Sequence, residues 1–347
     1  MKTALITTTI NVPHVLSLYR VYDPNVMFFV AGDIKTAYDA EDFCGHLANC
    51  VYLTTHKQKR WKHSELIGWN TDSRRNIALL EAMKWGADII VSIDDDMICT
   101  ENPFSAWQKL FVRTVMEVNY YGHAVHKEET NPFNGIQFGI PNRWFSHGAL
   151  TTPPARERGI PFDHPIVGQP GFVIDAQIGV AQGIILGVPD TDAANAIVAR
   201  PMIYGATDIL RQGFVAHPQC KCVFNSQFTA FRAELAPAFA QFYFAQGRNT
   251  DILAAMLMRR IMREKNLYTY YGPPMAFHAR SDRPLFNDLK AEMYGLEVID
   301  TYADYLNRAP LPAAGRVLDW CRILAEGWKG PELEAAMAFY DDCESLA

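Results

Sequence analysis

Ala87-Asp88-Ile89-Ile90-Val91-Ser92-Ile93 runs directly into three aspartates, Asp94, Asp95 and Asp96. The apolar, β-branched run predicts a buried strand. Three adjacent carboxylates at its end repel one another and cost stability unless a cation or donor groups meet them. Just before it, residues 71–86 (TDSRRNIALLEAMKWG) carry a helical pattern. Asp72 or Ser73 can cap its start. Ile77, Leu80, Ala82 and Met83 give it an apolar face, and Gly86 ends it. Upstream, Thr3–Thr7 and Met27–Gly32 are further strand candidates, the second running into Asp33, with a helical stretch after Pro13 between them. Strand, helix, strand in this order implies a parallel, doubly wound sheet. Ligands in such sheets bind beyond the carboxyl ends of the strands. Asp33 and Asp94–Asp96 stand at such ends.

The rest of the chain is less regular. From about Asn131 to Pro189 it is rich in proline, glycine and aromatic residues, which predicts long loops and short strands. NTDILAAMLMRRIMREKN, residues 249–266, predicts a second strong helix with Asn249 or Thr250 as cap and Asp251 in its first turn. From Leu289 onward the pattern is helical. The expected organisation is an α/β domain over 1–290 and a helical C-terminal extension over 291–347.

With 347 residues, 49% of them hydrophobic, the chain can bury a large core. Its formal net charge of -6 and lack of a Lys/Arg-rich tract argue against a standing grip on nucleic acid or anionic lipid. Two local basic stretches, His56–His63 and Met258–Lys265, keep a modified base in nucleic acid open as an acceptor, reached by flipping. Solvated helix faces are the commoner meaning of such stretches. No apolar run is long enough to span a bilayer, and the N-terminus lacks a signal-peptide layout. Seven scattered cysteines speak against a disulfide framework, and Cys220 and Cys222 are too close for a usual zinc pair. A cytoplasmic protein without membrane contact is expected; an oligomer is compatible with all of this.

Strand alternation puts Asp94 and Asp96 on one side and Asp95 on the other. Such a pair suits Mg2+ or Mn2+, hard cations that take oxygen ligands and bridge phosphates. A bare D-x-D is weak evidence, since most charge runs are solvated turns, but its place after a buried strand favours the metal. His278 ends an aromatic, strand-like run (YTYYGPPMAFHARSDRP) and is flanked by Arg280 and Arg283. A neutral imidazole there could be a third ligand, and the planar fork of Arg280 could meet a phosphate. Taken alone, a histidine is more often structural.

Four segments in order resemble the reversibly glycosylated polypeptides, a family that includes the UDP-arabinopyranose mutases and has the GT-A (nucleotide-diphospho-sugar transferase) fold. SIDDDMICTENP is similar to the family's strand with its triple aspartate. Gly179–Pro201 is similar to its S-H-G-aromatic-x-x-I-P-D-x-D-A segment. FNSQFTAFRAELAPAFAQFYFAQGRNTDILAAM is similar to the stretch ending G-R-Y-D-D-M-W, and FHARSDRPLFNDLKAEMYG to W-H-S-K … N-P-F-x-N-L-K-x-E-Y-x-G. The likeness runs from about Thr3 to Gly295. It implies a mainly parallel central sheet flanked by helices. It implies that Asp94, Asp95 and Asp96 serve ribose and metal, with His278 completing a metal site of Asp94, Asp96 and His278. Thr8, Thr9, Asn11 and Asp33 fall where the uracil and ribose sit. Asp72 and Ser73 match the family's K-D-S, and Arg248 and Asp251 match the arginine and second aspartate of R-Y-D-D.

The sequence departs from the family in three places. Thr250 stands where the first aspartate of that pair is, and Gln182 where the histidine of S-H-G is. The segment around the family's self-glycosylated arginine is poorly matched, with Arg158 and Arg143 as rival positions. The expected function is therefore a glycosyltransferase, dependent on Mn2+ or Mg2+, that moves a pentose or hexose from a UDP-sugar donor to a separate acceptor: a small molecule, a protein or a modified base. The alternatives are UDP-arabinopyranose mutase and a non-catalytic nucleotide-sugar-binding protein.

Overall fold

The computed structural model describes the chain apart from residues 113–115, 124–148, 153–167, 189–190, 200–201, 207, 217–223, 243–247, 280–283 and 347. The described strands are β1 (Thr3–Thr8), β2 (Met27–Ala31), β3 (Cys50–Leu53), β4 (Ile89–Ile93), β5 (Met97–Cys99), β6 (Met116–His123) and β7 (Ala149–Thr152). They continue with β8 (Gly168–Ala176), β9 (Ile178–Gly187), β10 (Met202–Ala206), β11 (Phe214–Ala216), β12 (Phe228–Arg232) and β13 (Tyr268–His278). The described helices of eight residues or more are α1 (Val15–Tyr22), α2 (Arg75–Trp85), α3 (Pro103–Val112), α4 (Thr250–Glu264), α5 (Leu285–Arg308), α6 (Val317–Trp328) and α7 (Leu333–Glu344). The fold is α/β.

One sheet runs through the molecule in the order β3-β2-β1-β4-β12-β9-β13-β11-β6-β8. Strands β3, β2, β1 and β4 are mutually parallel, as the strand-helix-strand alternation predicts. The chain leaves β1 for β2 on one side and returns to β4 on the other, so the order reverses at β1. Helix connections on either side of such a point diverge and leave a crevice beyond the carboxyl ends. β12 then joins β4 antiparallel, with Phe228 opposite Ile93, which brings the approach to β12 over the end of β4. β9 pairs parallel with β13 and antiparallel with β12.

Both faces of the sheet are covered, which explains why the strands read as apolar runs rather than alternating ones. Leu5, Phe28, Val30 and Val91 pack with Leu16, Tyr19, Phe104 and Trp107 of α1 and α3. Ala4, Ile6, Phe29 and Ile90 pack on the other side with Ile77, Leu80, Leu253, Ile261, Trp320 and Phe339. Helix α2 therefore lies between the sheet and the C-terminal helices. Arg75 to Ala82 are all buried, so the single apolar face expected from its pattern is replaced by burial all round. Neither Asp72 nor Ser73 caps it. A 3-10 turn over Asp72–Arg74 leads in instead. Gly86 ends it at φ 76, in the left-handed region that glycine enters without a Cβ penalty.

The helical stretch expected from Leu289 begins at Leu285, inside the first of the two units laid out on the sequence. Residues of α5, α6 and α7 share one apolar cluster with α2 and α4. Among the described residues, no helix is long and apolar enough to cross a membrane.

Candidate functional site

Strand β4 ends at Ile93, and the three aspartates do not prolong it. The Met97 N–H donates to the Asp94 carbonyl at 3.2 Å, which closes a turn over Asp94–Met97. Strand alternation thus stops applying at Asp94, and the expected sharing of one side by Asp94 and Asp96 gives way to three separate environments. Arg75, buried in the first turn of α2, meets the Asp94 carboxylate. The same guanidinium donates to the Ser226 hydroxyl and, at 3.3 Å each, to the carbonyls of Ser226 and Ile93. Asp95 turns toward β1, where the Thr9 hydroxyl meets it and the Asn11 amide reaches it at 3.5 Å. Asp96 turns to β13, where His278 Nε2 lies 3.2 Å from its Oδ2.

Each partner is fixed from behind. His278 is 2% exposed, and its Nδ1 lies 2.8 Å from the Val188 carbonyl. A carbonyl accepts only, so Nδ1 carries a proton. In the neutral imidazole that leaves a lone pair on Nε2 facing a carboxylate oxygen. Two acceptors at this distance need a proton or a cation between them. Burial disfavours a charge on His278, but the hydrogen bond and charge of Asp96, the Val188 carbonyl and the charge of Asp94 prevail and raise its pKa. Burial also raises the pKa of Asp95; Asp94 and Asp96 push the same way, while Thr9 and Asn11 pull back.

The β1 and β2 ends supply the other wall. Thr9 Oγ1 accepts from the Asn11 N–H at 2.9 Å, and the Thr8 hydroxyl donates to the Ala31 carbonyl at 2.9 Å. Asp33 is buried and accepts from the backbone N–H of Ile34 at 2.7 Å and of Thr71 at 3.2 Å. It thereby ties the end of β2 to the loop leading into α2. Asp72 accepts from the Thr250 hydroxyl at 3.4 Å, and Ser73 is buried. Asp251, 6% exposed at the start of α4, accepts from the Ser226 N–H at 3.4 Å. A path of hydrogen bonds therefore runs Asp94–Arg75–Ser226–Asp251. Arg248 lies elsewhere in character: it meets Asp288 at 2.6 Å and Glu292 at 3.7 Å, both on α5. Arg143, Arg158 and Arg280 lie outside the described residues.

Sequence reasoning missed Arg75 and the loop before β12. The Asp94 N–H donates to the Gln227 carbonyl at 3.0 Å, and the Asn225 amide donates to Gln227 Oε1 at 3.3 Å. Gln182 of β9, noted only as a departure from the family, accepts from the Asn225 N–H and the Thr229 hydroxyl at 3.0 Å each and so shapes that loop. The signal for Arg75 was present: two arginines at the head of an apolar helix, ahead of an acidic strand end.

The expected metal trio of Asp94, Asp96 and His278 is only partly assembled. Among the described residues no group of three His, Cys, Asp or Glu side chains is placed to hold a metal ion. Asp96 and His278 come together; Asp94 is taken by Arg75. In the two basic stretches some side chains are tied down, while His56, Lys57, Lys59, Arg60 and Lys62 of the first are exposed. Gln58 is buried and donates to the Gly32 and Leu53 carbonyls, His63 is fully buried, and Arg260 is buried against Glu264 and the Leu306 carbonyl.

No family model matches the chain, and no curated protein does. Among solved structures the chain is similar to a mannosyltransferase, PcManGT from Pyrobaculum calidifontis, in complex with GDP-Man and Mn2+. The identity is 12%, the match covers 97% of this chain and 86% of that one, and the TM-score is 0.35. A likeness this loose carries no argument about donor, metal or acceptor.

Proposed function

We propose that the chain is a metal-dependent glycosyltransferase of the GT-A fold that takes a UDP-sugar and passes its sugar to a separate acceptor. One observation supports this most: Asp96 Oδ2 and His278 Nε2 stand 3.2 Å apart beyond the carboxyl ends of β4 and β13. With Nδ1 protonated toward Val188, the pair offers a lone pair and a carboxylate to the same point. One or two protein ligands with phosphate oxygens and water suit Mg2+ or Mn2+, so two protein groups suffice. A divalent cation bound there supplies charge neutralisation for the departing diphosphate.

The remaining residues have roles that need no metal. Asp95, held by Thr9 and Asn11 over the end of β1, is placed to accept from ribose hydroxyls. The end of β2, braced by Asp33, forms the uracil side. Arg75 holds Asp94 and Ser226 in register, and Ser226 orients Asp251. Asp251, buried and within this network, is the candidate to accept the acceptor's proton or to orient the sugar. The acceptor class stays as wide as the sequence leaves it: small molecule, protein or modified base.

Incubation with a panel of UDP-sugars in Mn2+ tests the reading. Release of UDP with a glycosylated acceptor is expected. Asp96→Ala should lower turnover by about 100-fold or more while the protein stays folded. Full turnover in excess EDTA would overturn the metal dependence. A new UDP-sugar isomer in place of free UDP would replace transfer with the mutase reaction.

A further inference from the structure

Helices α4, α5, α6 and α7 enclose a cavity of about 20 Å³, lined by Phe242, Thr250, Tyr302, Trp328, Glu332 and Tyr340 among others. That is room for about one or two water molecules or an ion of similar bulk. Its aromatic walls stand edge to face: Tyr302 and Trp328 at 4.9 Å and 68°, Phe242 and Tyr340 at 5.9 Å and 84°. Among the described residues its carboxylate is that of Glu332, which is 8% exposed, and the Oε2 is buried without a hydrogen-bond partner. The Trp328 Nε1 is likewise buried without a partner. No lysine, arginine or histidine among the described residues lines the space.

The absence of a side chain at residue 330 leaves room for the carboxylate in this position. A Cβ on Gly330 would lie 2.3 Å from Glu332 Oε2 and would push the carboxylate out of this position. Burial pushes the Glu332 carboxyl up to about 7, and its own N–H offsets that only in part. A buried carboxylate with no base, set among aromatic rings, is the chemistry that recognises a cation through both charge and ring quadrupoles. We propose that this cavity binds a compact ammonium cation, the size of ammonium or methylammonium, between the Glu332 carboxylate and the rings of Tyr302, Trp328, Tyr340 and Phe242. The site is separate from the crevice but adjoins it. Thr250 lines the cavity and donates to Asp72 at 3.4 Å, so the start of α4 joins the two.

The test is a binding measurement and needs no turnover. A two-heavy-atom ligand is limited by ligand efficiency to a Kd on the order of 10 mM. Methylammonium chloride is therefore titrated to about 0.5 M at pH 8, with NaCl keeping ionic strength constant, and the melting temperature is read. A rise of about 2 °C or more, growing with the logarithm of concentration above about 10 mM, is expected from methylammonium, a smaller one from ammonium, and none from tetramethylammonium, which is too large. Glu332→Gln removes the charge. Gly330→Ala keeps the charge and swings it aside. Both should lose the rise. No rise beyond NaCl would mean that water alone fills the cavity, and an equal rise in both variants would place the effect elsewhere; either result overturns the proposal. So would potassium matching methylammonium, because aromatic walls would then not be selecting the cation.

Discussion

At the scale of single residues, the acidic run works because each aspartate has its own answer: a guanidinium for Asp94, a hydroxyl for Asp95, an imidazole for Asp96. The sequence made it plain that these charges needed partners. It did not reveal which partner served which carboxylate, because that depends on a turn hydrogen bond and on side chains far along the chain. Asp95 carries a measurable cost. Its folded-state pKa is raised by burial, so the folded protein takes up a proton more readily than the unfolded chain. That stabilises at low pH and is lost as pH rises through the folded value. Asp95→Asn, which keeps an acceptor for Thr9, should therefore be more stable than wild type at pH 7, and the gap should close toward pH 3. Urea melts at several pH values check this. A gap that does not change with pH, or a less stable Asn variant at neutral pH, would contradict it.

Among elements, those with a complete local signal were legible. β1, β2, β4, α2 and α4 lie close to where their apolar runs and patterns put them, because each carries its own signal in the local order of its residues even where its partners lie far along the chain. β9 and β12 were not legible as central strands. Their partners lie far away, with Thr229 of β12 facing Gln182 of β9 and Ser92 of β4. β9 is also interrupted by Gly183, which reads as a break but serves a close approach. A Cβ at 183 would sit 2.3 Å from Phe228 Cδ1 and 2.9 Å from the Pro274 carbonyl. Phe228 is fully buried and a backbone carbonyl cannot swing away. Gly183→Val should cost about 3 kcal/mol by overpacking. Gly45→Ala, at a position with nothing within 4 Å, is the control and should cost less than about 1 kcal/mol. Denaturant titrations of the two variants should differ accordingly; similar midpoints would show that the sheet yields at β9.

Over the whole molecule, the C-terminal helices belong to the packing around α2. His63 is fully buried, its Nδ1 2.8 Å from the Ala335 carbonyl and its Nε2 2.8 Å from the Asn76 amide. Burial holds the His63 pKa down to about 3; the Ala335 carbonyl works against this and the Arg74 charge adds to it. A depressed folded pKa stabilises fully above the ordinary histidine value of about 6.5, and that stability drains away as pH falls toward 3. At about 1.4 kcal/mol per unit, the loss is several kcal/mol. His63→Gln should flatten the fall in stability between about pH 6.5 and 3, whatever its effect at pH 7. Unfolding free energies across that window decide it, and an unchanged slope would remove His63 as the acid-sensitive group.

The Asp342 carboxylate accepts from the N–H groups of Lys62, at 3.2 Å, and His63, at 2.9 Å, the second bond joining residues 279 apart. During synthesis this sets a schedule. The parallel edge of the sheet can leave the ribosome early, but α2 stays bare on one side until α7 has followed it out of the exit tunnel. For most of translation the nascent chain therefore displays an apolar helix surface that cannot yet be covered, the condition under which chaperones engage. Closure of this domain is a late, long-range event, and ribosome-bound chains stalled before residue 333 should remain protease-sensitive around α2.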